Sequence, residues 1–147
     1  MKQRGFEVVT KYNDLKINLP KRGSKTSAGY DFYNIEEIVI KAKEACKIPT
    51  GIKAYMLADE VLEIHVRSSL GIKGISMLNT VGIIDSDYYN NPKNEGEIII
   101  FLKNNTNEDI TFAQDERLVQ GIFKKYLTTD QDDVTTERLG GFGSTNK

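Results

Sequence analysis

The sequence is poor in the residues that build disulfides, zinc sites and rigid turns. It has no tryptophan, one histidine, one cysteine and three prolines among 147 residues. The single cysteine, Cys46, excludes an internal disulfide, suits a reducing compartment and is expected to be a buried structural thiol. With His65 as the only histidine, neither a zinc site of His and Cys ligands nor a Ser-His-Asp triad is expected.

The sequence also lacks long apolar runs and any strong excess of charge. No window is apolar enough to cross a membrane, and the first five residues lack the apolar core of a signal peptide. The 20 basic and 21 acidic residues nearly cancel, so no broad surface for nucleic acid is expected. We therefore expect a cytoplasmic protein of one domain that binds neither membranes nor nucleic acid.

Short apolar segments between glycines and Asn/Asp clusters predict an all-β protein. Residues 61–66 alternate apolar and polar side chains with the period of a half-buried strand. Strands are also predicted over 35–40, 46–54 and 96–102. The unbroken apolar run 98–102 indicates a strand buried on both faces, inside a sandwich or against another subunit. Regular short strands with turn signals indicate a barrel or a sandwich.

Two C-terminal segments differ from this pattern. Residues 116–126 carry apolar side chains at helical spacing, which slightly favours a helix, although Gly121 and several β-forming residues would also suit a strand. Residues 128–137 are polar and acidic and read as a linker. We predict a body over residues 1–127, followed by a linker and a flexible arm over 128–147.

The arm ends in a glycine-rich run that is suited to binding a polyphosphate. Residues 138–145 combine three glycines with Arg138, Phe142, Ser144 and Thr145. Glycine amides approach phosphate oxygens closely, hydroxyl groups donate hydrogen bonds, arginine supplies charge and an aromatic ring offers a face to a base. The alternative is a frayed polar tail, since chain termini are often poorly ordered.

Three further stretches carry candidate chemistry. Residues 26–31 are small and end in Asp31, and a plain turn is the alternative. Residues 67–71 place an arginine and two serines directly after a strand, which would form a compact anion site. The alternative is an exposed strand end with a serine cap. Residues 79–89 run from apolar side chains into Asp85 and Asp87. On a strand these two carboxylates would point the same way and need a cation or solvent; a turn that begins with aspartates is the alternative.

Taken in order, five stretches resemble the five motifs of the trimeric dUTPase family. The resemblance runs from about residue 19 to the end of the chain. The stretches are Ser27-Ala28-Gly29-Tyr30-Asp31, Arg67-Ser68-Ser69-Leu70, Gly82-Ile83-Ile84-Asp85-Ser86-Asp87-Tyr88, Asp115-Glu116-Arg117-Leu118-Val119-Gln120 and Gly140-Gly141-Phe142-Gly143-Ser144-Thr145.

The resemblance implies a β-barrel subunit of jelly-roll-like fold and a homotrimer that exchanges its C-terminal arms. In such a trimer each site takes the first, second and fourth motifs from one chain, the uracil-binding hairpin from another and the arm from a third. The resemblance also makes residues 116–126 a strand, against the helical spacing. It further implies that a neighbouring subunit can bury the apolar run 98–102.

The resemblance also implies an activity, hydrolysis of dUTP to dUMP and pyrophosphate by water attack on the α-phosphorus, with Asp85 activating the water. This reaction keeps uracil out of DNA and supplies dUMP for dTMP synthesis. Mg²⁺ would travel on the triphosphate, with Asp31 reaching it only through water. The implied phosphate-binding residues are Arg67, Ser68, Ser69, Gln120, Arg138, Gly143, Ser144 and Thr145. The implied nucleoside-binding residues are Asn79, Gly82, Ile83, Tyr88 and Phe142.

The sequence departs from the family pattern in three places. Arg138 lies four residues before Phe142, where the family more often has five, and Asn146 replaces a final glycine. The insert 90–95 lengthens the hairpin after Tyr89. Two other functions therefore stay open: a dCTP deaminase of the same fold, and a regulatory protein whose partner binds near residues 90–95.

Overall fold

The computed structural model describes residues 1–143, which form an almost entirely β structure. The α-helix of this region is α1, Ser68–Ile72, and single 3-10 turns span Thr10–Tyr12 and Ser86–Tyr88. The strands in chain order are β1 Gly5–Val8, β2 Lys21–Arg22, β3 Tyr30–Tyr33, β4 Ile38–Ile40, β5 Ala45–Pro49, β6 Ile52–Tyr55, β7 Glu60–Val66, β8 Ile75–Met77, β9 Gly82–Asp85, β10 Ile99–Asn104, β11 Ile110–Phe112 and β12 Arg117–Lys125.

The strands pair in antiparallel fashion into four small sheets. The largest has five strands in the order β2-β3-β12-β7-β9, so β12 and β7 are central and β9 lies at an edge. The others have the orders β5-β10-β8, β1-β6 and β11-β4. The prediction of an all-β fold is therefore confirmed. Many short strands that change partners wrap the sheets around one apolar core.

The core explains why β7 and β12 are central. Leu62 and Ile64 of β7 and Val119 of β12 are almost completely buried. Gly121 of β12 lies between them: an added Cβ atom would lie 3.0 Å from Leu62 and 3.1 Å from Phe32. These strands can pack so closely because glycine leaves that space free, and a larger residue would force the core to shift.

The strand predictions are right in kind and less accurate at their ends. The prediction over 61–66 is confirmed as β7, while 35–40 contains the shorter β4. The predicted strand 46–54 is two strands, because Gly51 adopts φ +71° between β5 and β6 and turns the chain. Cys46, expected to be buried, is half-buried at the margin of the core.

Residues 116–126 form the strand β12, as the resemblance implies and against the helical spacing. The pairing with β3 shifts between Arg117 and Val119, which marks a β-bulge. Leu118 and Val119 are consequently both buried although they are adjacent. Two adjacent inward residues break the period-two signal of a strand and imitate the spacing of a helix.

The apolar run 98–102 is buried on one face in the single chain. Ile98, Ile100 and Leu102 are buried, while Ile99 and Phe101 are only half-buried. Burial on both faces is therefore wrong for the isolated subunit. The less buried side of β10 faces the C-terminal residues, since the rings of Phe101 and Phe142 meet edge to face at 5.9 Å.

Beyond β12 the chain leaves the body and then returns to it. Residues 127–137 are exposed and form no helix or strand, whereas Gly140 is buried again. Within residues 1–143, no helix has the length and hydropathy required to cross a membrane.

Candidate active site

A cavity of about 160 Å³ collects all five residues that the sequence predicts to bind a nucleoside. It lies between β9, the start of β10 and the returning C-terminal residues. Its volume is below that of cavities for drug-sized ligands and suits a single small ring. The predicted residues that line it are Asn79, Gly82, Ile83, Asp85, Tyr88, Arg138 and Phe142.

The wall formed by β9 offers backbone groups as well as side chains. Within the described residues β9 pairs with β7 alone, so the groups along its other edge stay free for a ligand. Gly82 brings β9 close to β7, because a Cβ atom there would lie 3.1 Å from Cβ of Ile64. An edge strand with free N–H and C=O groups can pair with the polar edge of a base.

At the end of β9, two carboxylates share one guanidinium. Arg138 Nη2 donates to Oδ2 of Asp85 at 2.6 Å, and Nε donates to Oδ1 of Asp87 at 2.6 Å. Arg138 Nη1 also donates to the carbonyl oxygen of Gly140 at 2.9 Å. The sequence predicts that this Asp pair needs a cation or solvent; both carboxylates contact the same cation, and each remains about half exposed to solvent. Within residues 1–143, Oδ1 of Asp85 has no hydrogen-bonding partner.

Tyr88 is held in place by the segment that follows it. Its hydroxyl donates to the carbonyl oxygen of Glu97 at 2.6 Å and accepts from Nδ2 of Asn94 at 2.7 Å. The side chain is 7% exposed, and this burial raises the pKa of the Tyr88 phenol above its ordinary value. Tyr88 is therefore a neutral, fixed ring in the cavity wall at physiological pH.

The C-terminal residues close the cavity from outside. An added Cβ atom at Gly141 would lie 2.7 Å from the Tyr88 ring, and one at Gly140 would lie 2.6 Å from Cδ of Lys93. Glycine is thus needed at 141 for the backbone to lie on the Tyr88 ring, whereas the flexible Lys93 side chain could move aside for a larger residue at 140. Phe142 remains 70% exposed at the mouth. Gly143 is exposed with φ +89°, and the predicted residues Ser144 and Thr145 lie outside the described residues.

A second cluster surrounds Asp31, which is buried in β3. Arg67 Nε lies 3.2 Å from Oδ1 of Asp31, and Arg117 Nη1 lies 3.4 Å from Oδ2. The carboxylate thus holds two guanidinium groups side by side, with roughly a quarter to a half of each side chain exposed. Two arginines oriented in this way form a site for an anion.

Ser68, Ser69 and Gln120 complete this second cluster. The two serines are exposed at the start of α1, where the first N–H groups of a helix have no carbonyl partner within it. Gln120 pairs across strands with Asp31. A Cβ atom at Gly29 would collide with Oε1 of Gln120, so glycine leaves room for that amide. We call Asp31, Arg67, Ser68, Ser69, Arg117 and Gln120 the phosphate cluster.

Asp85 and the phosphate cluster lie toward opposite ends of β7. Asp85 pairs with Val61 near the start of β7, whereas Arg67 immediately follows its end. Six positions at the rise of an extended strand correspond to about 20 Å. The structure therefore brings the predicted residues together in two separate groups, each with most of its expected members.

Sequence reasoning gave no role to two residues that contact the predicted ones. Arg117 contacts Asp31, and Asn94 donates to Tyr88. Asp87, which the sequence already pairs with Asp85, shares Arg138 with it. Arg117 stands inside the fourth quoted motif and could have been found there. Asn94 belongs to the insert, and its asparagine-rich composition is a signal of side-chain to backbone hydrogen bonding.

The side chains suit a metal ion that arrives with its ligand. Within the part of the chain that is described, no three His, Cys, Asp or Glu side chains converge to hold one. Asp31 supplies a hard carboxylate to the phosphate cluster, and Mg²⁺ typically combines one or two carboxylates with substrate phosphates and water.

Comparison with known proteins identifies the family. The dUTPase family model matches residues 15–146. The deoxyuridine 5'-triphosphate nucleotidohydrolase of Lactococcus lactis is 50% identical over 99% of both chains. The enzyme of the same name from Nautilia profundicola is 37% identical over 88% of this chain and 91% of that one.

This chain belongs to the dUTPase family. It hydrolyses dUTP to dUMP and pyrophosphate. Because the matching family and relatives are dUTP nucleotidohydrolases, the comparison favours this activity over that of a deaminase. The fold agrees: a crystal structure of the dUTPase from Streptococcus mutans has a TM-score of 0.79 and 46% identity, over 86% of this chain and 98% of that one. The Staphylococcus bacteriophage 80alpha dUTPase with dUPNHPP, at 20% identity, shares the fold with a TM-score of 0.73 over 98% of both chains.

Proposed function

We propose that the cavity binds the uracil of dUTP, with the sugar against Tyr88 in its wall, and that Asp85 activates the water that attacks the α-phosphorus. The observation that carries this proposal is the position of Asp85 at the end of the strand that lines the cavity. A nucleotide whose base pairs with the free edge of β9 extends its phosphates past that carboxylate. Asn79, Gly82 and Ile83 then bind the base, while Tyr88 packs against the sugar and leaves no room for a 2′-hydroxyl.

Asp85 has the chemistry that a general base requires. In the chain without ligand its Oδ2 accepts a hydrogen bond from Arg138, and among residues 1–143 its Oδ1 has no partner and could accept a hydrogen bond from water. A carboxylate is a weak base, so holding the water in line with the scissile bond contributes as much as proton affinity. The proton passes to Asp85 as the oxygen–phosphorus bond forms, and pyrophosphate leaves with the bond electrons.

The phosphate cluster is the proposed site for the triphosphate, and it comes from another chain. It lies about 20 Å from Asp85 along β7 in the same chain, at the rise of an extended strand. Adjacent phosphorus atoms in a triphosphate are separated by one bridging oxygen, so one chain cannot hold both ends. This separation supports an assembly in which Arg67, Ser68, Ser69 and Gln120 of one subunit face Asp85 of another.

A homotrimer is the assembly that we propose, by resemblance to the family. In the single chain the arm lies against its own cavity, and the exposed linker 128–137 would allow the same contacts to be made to a neighbour. The half-buried side of β10 gives that neighbour an apolar surface. We propose that Arg138, Gly143, Ser144 and Thr145 contact the terminal phosphates once substrate is bound, and that Phe142 covers the uracil.

Magnesium is proposed to bind through the triphosphate. When bound, the ion neutralises phosphate charge and orients the leaving group. Asp31 would reach it through water, while its contacts with Arg67 and Arg117 keep those cations beside the same phosphates.

Two sequence predictions stay predictions. A cytoplasmic location rests on the composition of the sequence. A regulatory partner near residues 90–95 gains no support from the contacts of that segment, whose polar atoms bond within the chain.

One assay tests the proposed specificity. Pyrophosphate release would be measured with dUTP, dTTP, dCTP and UTP in the presence of magnesium, together with ammonia release from dCTP. We expect rapid release from dUTP alone. Equal release from dTTP or UTP would contradict the proposed base and sugar contacts, and ammonia from dCTP would support a deaminase.

A further inference from the structure

We propose that Asn94 is a positioning residue that fixes the Tyr88 ring and so sets the discrimination between deoxyribose and ribose. The observation is the hydrogen bond from Asn94 Nδ2 to Oη of Tyr88, at 2.7 Å. The inference rests on the proposed role of Tyr88 against the sugar. It gives a function to the insert 90–95, which the catalytic scheme leaves unused.

Hydrogen bonds to both polar atoms of its side-chain amide hold Asn94 in place within the insert. Its Oδ1 accepts from the backbone N–H of Gly96 at 3.0 Å and from Nδ2 of Asn91 at 2.7 Å. Asn91 is buried, and its Nδ2 also donates to the carbonyl oxygen of Tyr88 at 2.7 Å. The amide of Asn94 therefore cannot rotate without breaking these bonds, and its N–H group stays aimed at the phenol.

The insert is itself fixed to the body of the subunit. Lys53 Nζ, which is nearly buried, donates to Oδ1 of Asn90 at 2.6 Å and to Oε2 of Glu95 at 2.7 Å. The Glu95 carboxylate also accepts from the backbone N–H and the hydroxyl of Thr10. Asn94 thus connects Tyr88 to a rigid frame.

The position of the Tyr88 ring matters because the ring is held closely at its hydroxyl group and at its edge. The phenol is pinned at its hydroxyl by Glu97 and Asn94, and its edge lies under Gly141 of the arm. Rejecting a 2′-hydroxyl by exclusion requires a wall that does not yield, since a ring free to tilt would admit the extra oxygen. Without the Asn94 hydrogen bond, Tyr88 keeps a single anchor.

The test compares Asn94→Asp with Tyr88→Phe. Aspartate keeps the Oδ1 acceptor for Gly96 and Asn91 but cannot donate to Tyr88. Phenylalanine removes the hydrogen bond from Asn94 from the other side, together with the one to Glu97. Asn107→Asp, at an exposed position away from the cavity, controls for the added charge. The readout is the ratio of kcat/KM for dUTP to kcat/KM for UTP. A loss of folded protein lowers both constants equally and leaves the ratio unchanged.

We expect Asn94→Asp to lower this ratio by about three- to tenfold, the effect of one neutral hydrogen bond. Tyr88→Phe, which loses the bond to Glu97 as well, should lower it by at least as much. Because Tyr88→Phe already removes the bond from Asn94, the double variant should be no lower than Tyr88→Phe alone. If Asn94→Asp keeps the ratio of Asn107→Asp while Tyr88→Phe lowers it, the inference is overturned. A double variant at the product of the two single effects overturns it equally.

A third variant separates this inference from the proposed function. If Tyr88→Ala leaves the ratio unchanged, the role of Tyr88 against the sugar is wrong, and the inference is overturned with it. If Tyr88→Ala lowers the ratio and Asn94→Asp does not, only the inference is overturned. Should Asn94→Asp fail to fold in a thermal melt, Tyr88→Phe decides, and an unchanged ratio there overturns the role of Asn94.

Discussion

Arg138 bridges Asp85 and Asp87, with a guanidinium nitrogen 2.6 Å from a carboxylate oxygen of each. The cation comes from the C-terminal arm and the two anions from the end of β9. Without it, the like charges of the two carboxylates would repel each other. Docking of the arm and the environment of the proposed base are therefore coupled. When the arm leaves, Asp85 loses its fixed orientation.

The pair of aspartates allows the base to be tested against a close control. We expect Asp85→Asn to bind dUTP and to lose about 10²- to 10⁴-fold in kcat, the usual contribution of a general base. Asp87→Asn removes the charge, but not the acceptor oxygen, from the other partner of Arg138 and leaves the base in place. Its loss should be smaller by at least about tenfold and should fall mainly on kcat/KM, which reports arm docking as well as chemistry.

Pyrophosphate release and binding of a non-hydrolysable dUTP analogue measure these effects. Equal losses in the two variants would mean that Asp85 acts only through Arg138. Near-normal turnover of Asp85→Asn would remove Asp85 from the mechanism.

Truncation after Leu139 tests whether the arm is separable from the fold. The linker before it is exposed and without helix or strand, so few interactions of the core depend on the arm. We expect a folded assembly with an unchanged melting temperature and a kcat/KM lower by about 10²-fold or more, because an open site admits water and weakens each charged contact. A large drop in melting temperature would show that the tail is structural.

Gly29 tests the phosphate cluster through packing. Gly29→Ala places a methyl group on Oε1 of Gln120 and displaces that amide. Displacement of a positioning group by about 1 Å costs up to about 10²-fold, so we expect kcat/KM for dUTP to fall by about ten- to a hundredfold. Gly23→Ala is the matched control, since the nearest atom to its methyl group is Oδ2 of Asp31, at 3.8 Å. Similar kinetics for both variants would exclude Gln120 from the site.

The contact between Lys53 and Glu95, which fixes the insert 90–95 to the body, makes the stability of the fold depend on pH. The hydrogen bond from Lys53 holds the pKa of Glu95 below its ordinary value of 4.5. A carboxyl group with a lowered pKa in the folded state stabilises the fold above about pH 4.5 and loses that contribution as pH falls through the folded value. We expect Glu95→Gln to be less stable at neutral pH and to lose less stability on acidification.

Urea unfolding between about pH 7 and pH 3 measures this difference through the linkage of protons to folding. Glu37→Gln, at an exposed position, is the control. Parallel curves for the wild type and Glu95→Gln would show that the ion pair does not contribute to stability.

The sequence predicts a strand correctly where the alternation of its own side chains reflects packing on the core. Alternation over 61–66 predicts β7 because one face of that strand packs on the core. The helical spacing at 116–126 is misleading, since the bulge at Arg117 turns two neighbouring residues inward. Such a bulge depends on the partner strand, which local periodicity does not contain. Gly51 breaks a predicted strand for the same reason, because its φ is set by the tertiary fold.

The candidate site is predictable in its members and less so in its arrangement. The motifs select Asp85, Arg67 and Gln120, which the structure places among the two groups of candidate residues, and their binding of a nucleotide stays a prediction. Nothing in their spacing says that Asp85 and Arg67 lie at opposite ends of β7, since that depends on the register of β9. The partner of Arg138 was likewise expected to be phosphate, whereas in the chain without ligand it is a pair of carboxylates.

The central claim is that one active site combines residues of different chains, and mixing two inactive variants tests it most directly. Asp85→Asn and Arg67→Ala chains would be unfolded together, refolded as a mixture and assayed for pyrophosphate release from dUTP. We predict that the mixture regains activity, because about a quarter of randomly assembled sites then combine an intact Asp85 with an intact Arg67. A mixture as inactive as its two components, with hybrid assemblies present by native mass spectrometry, would contradict the account.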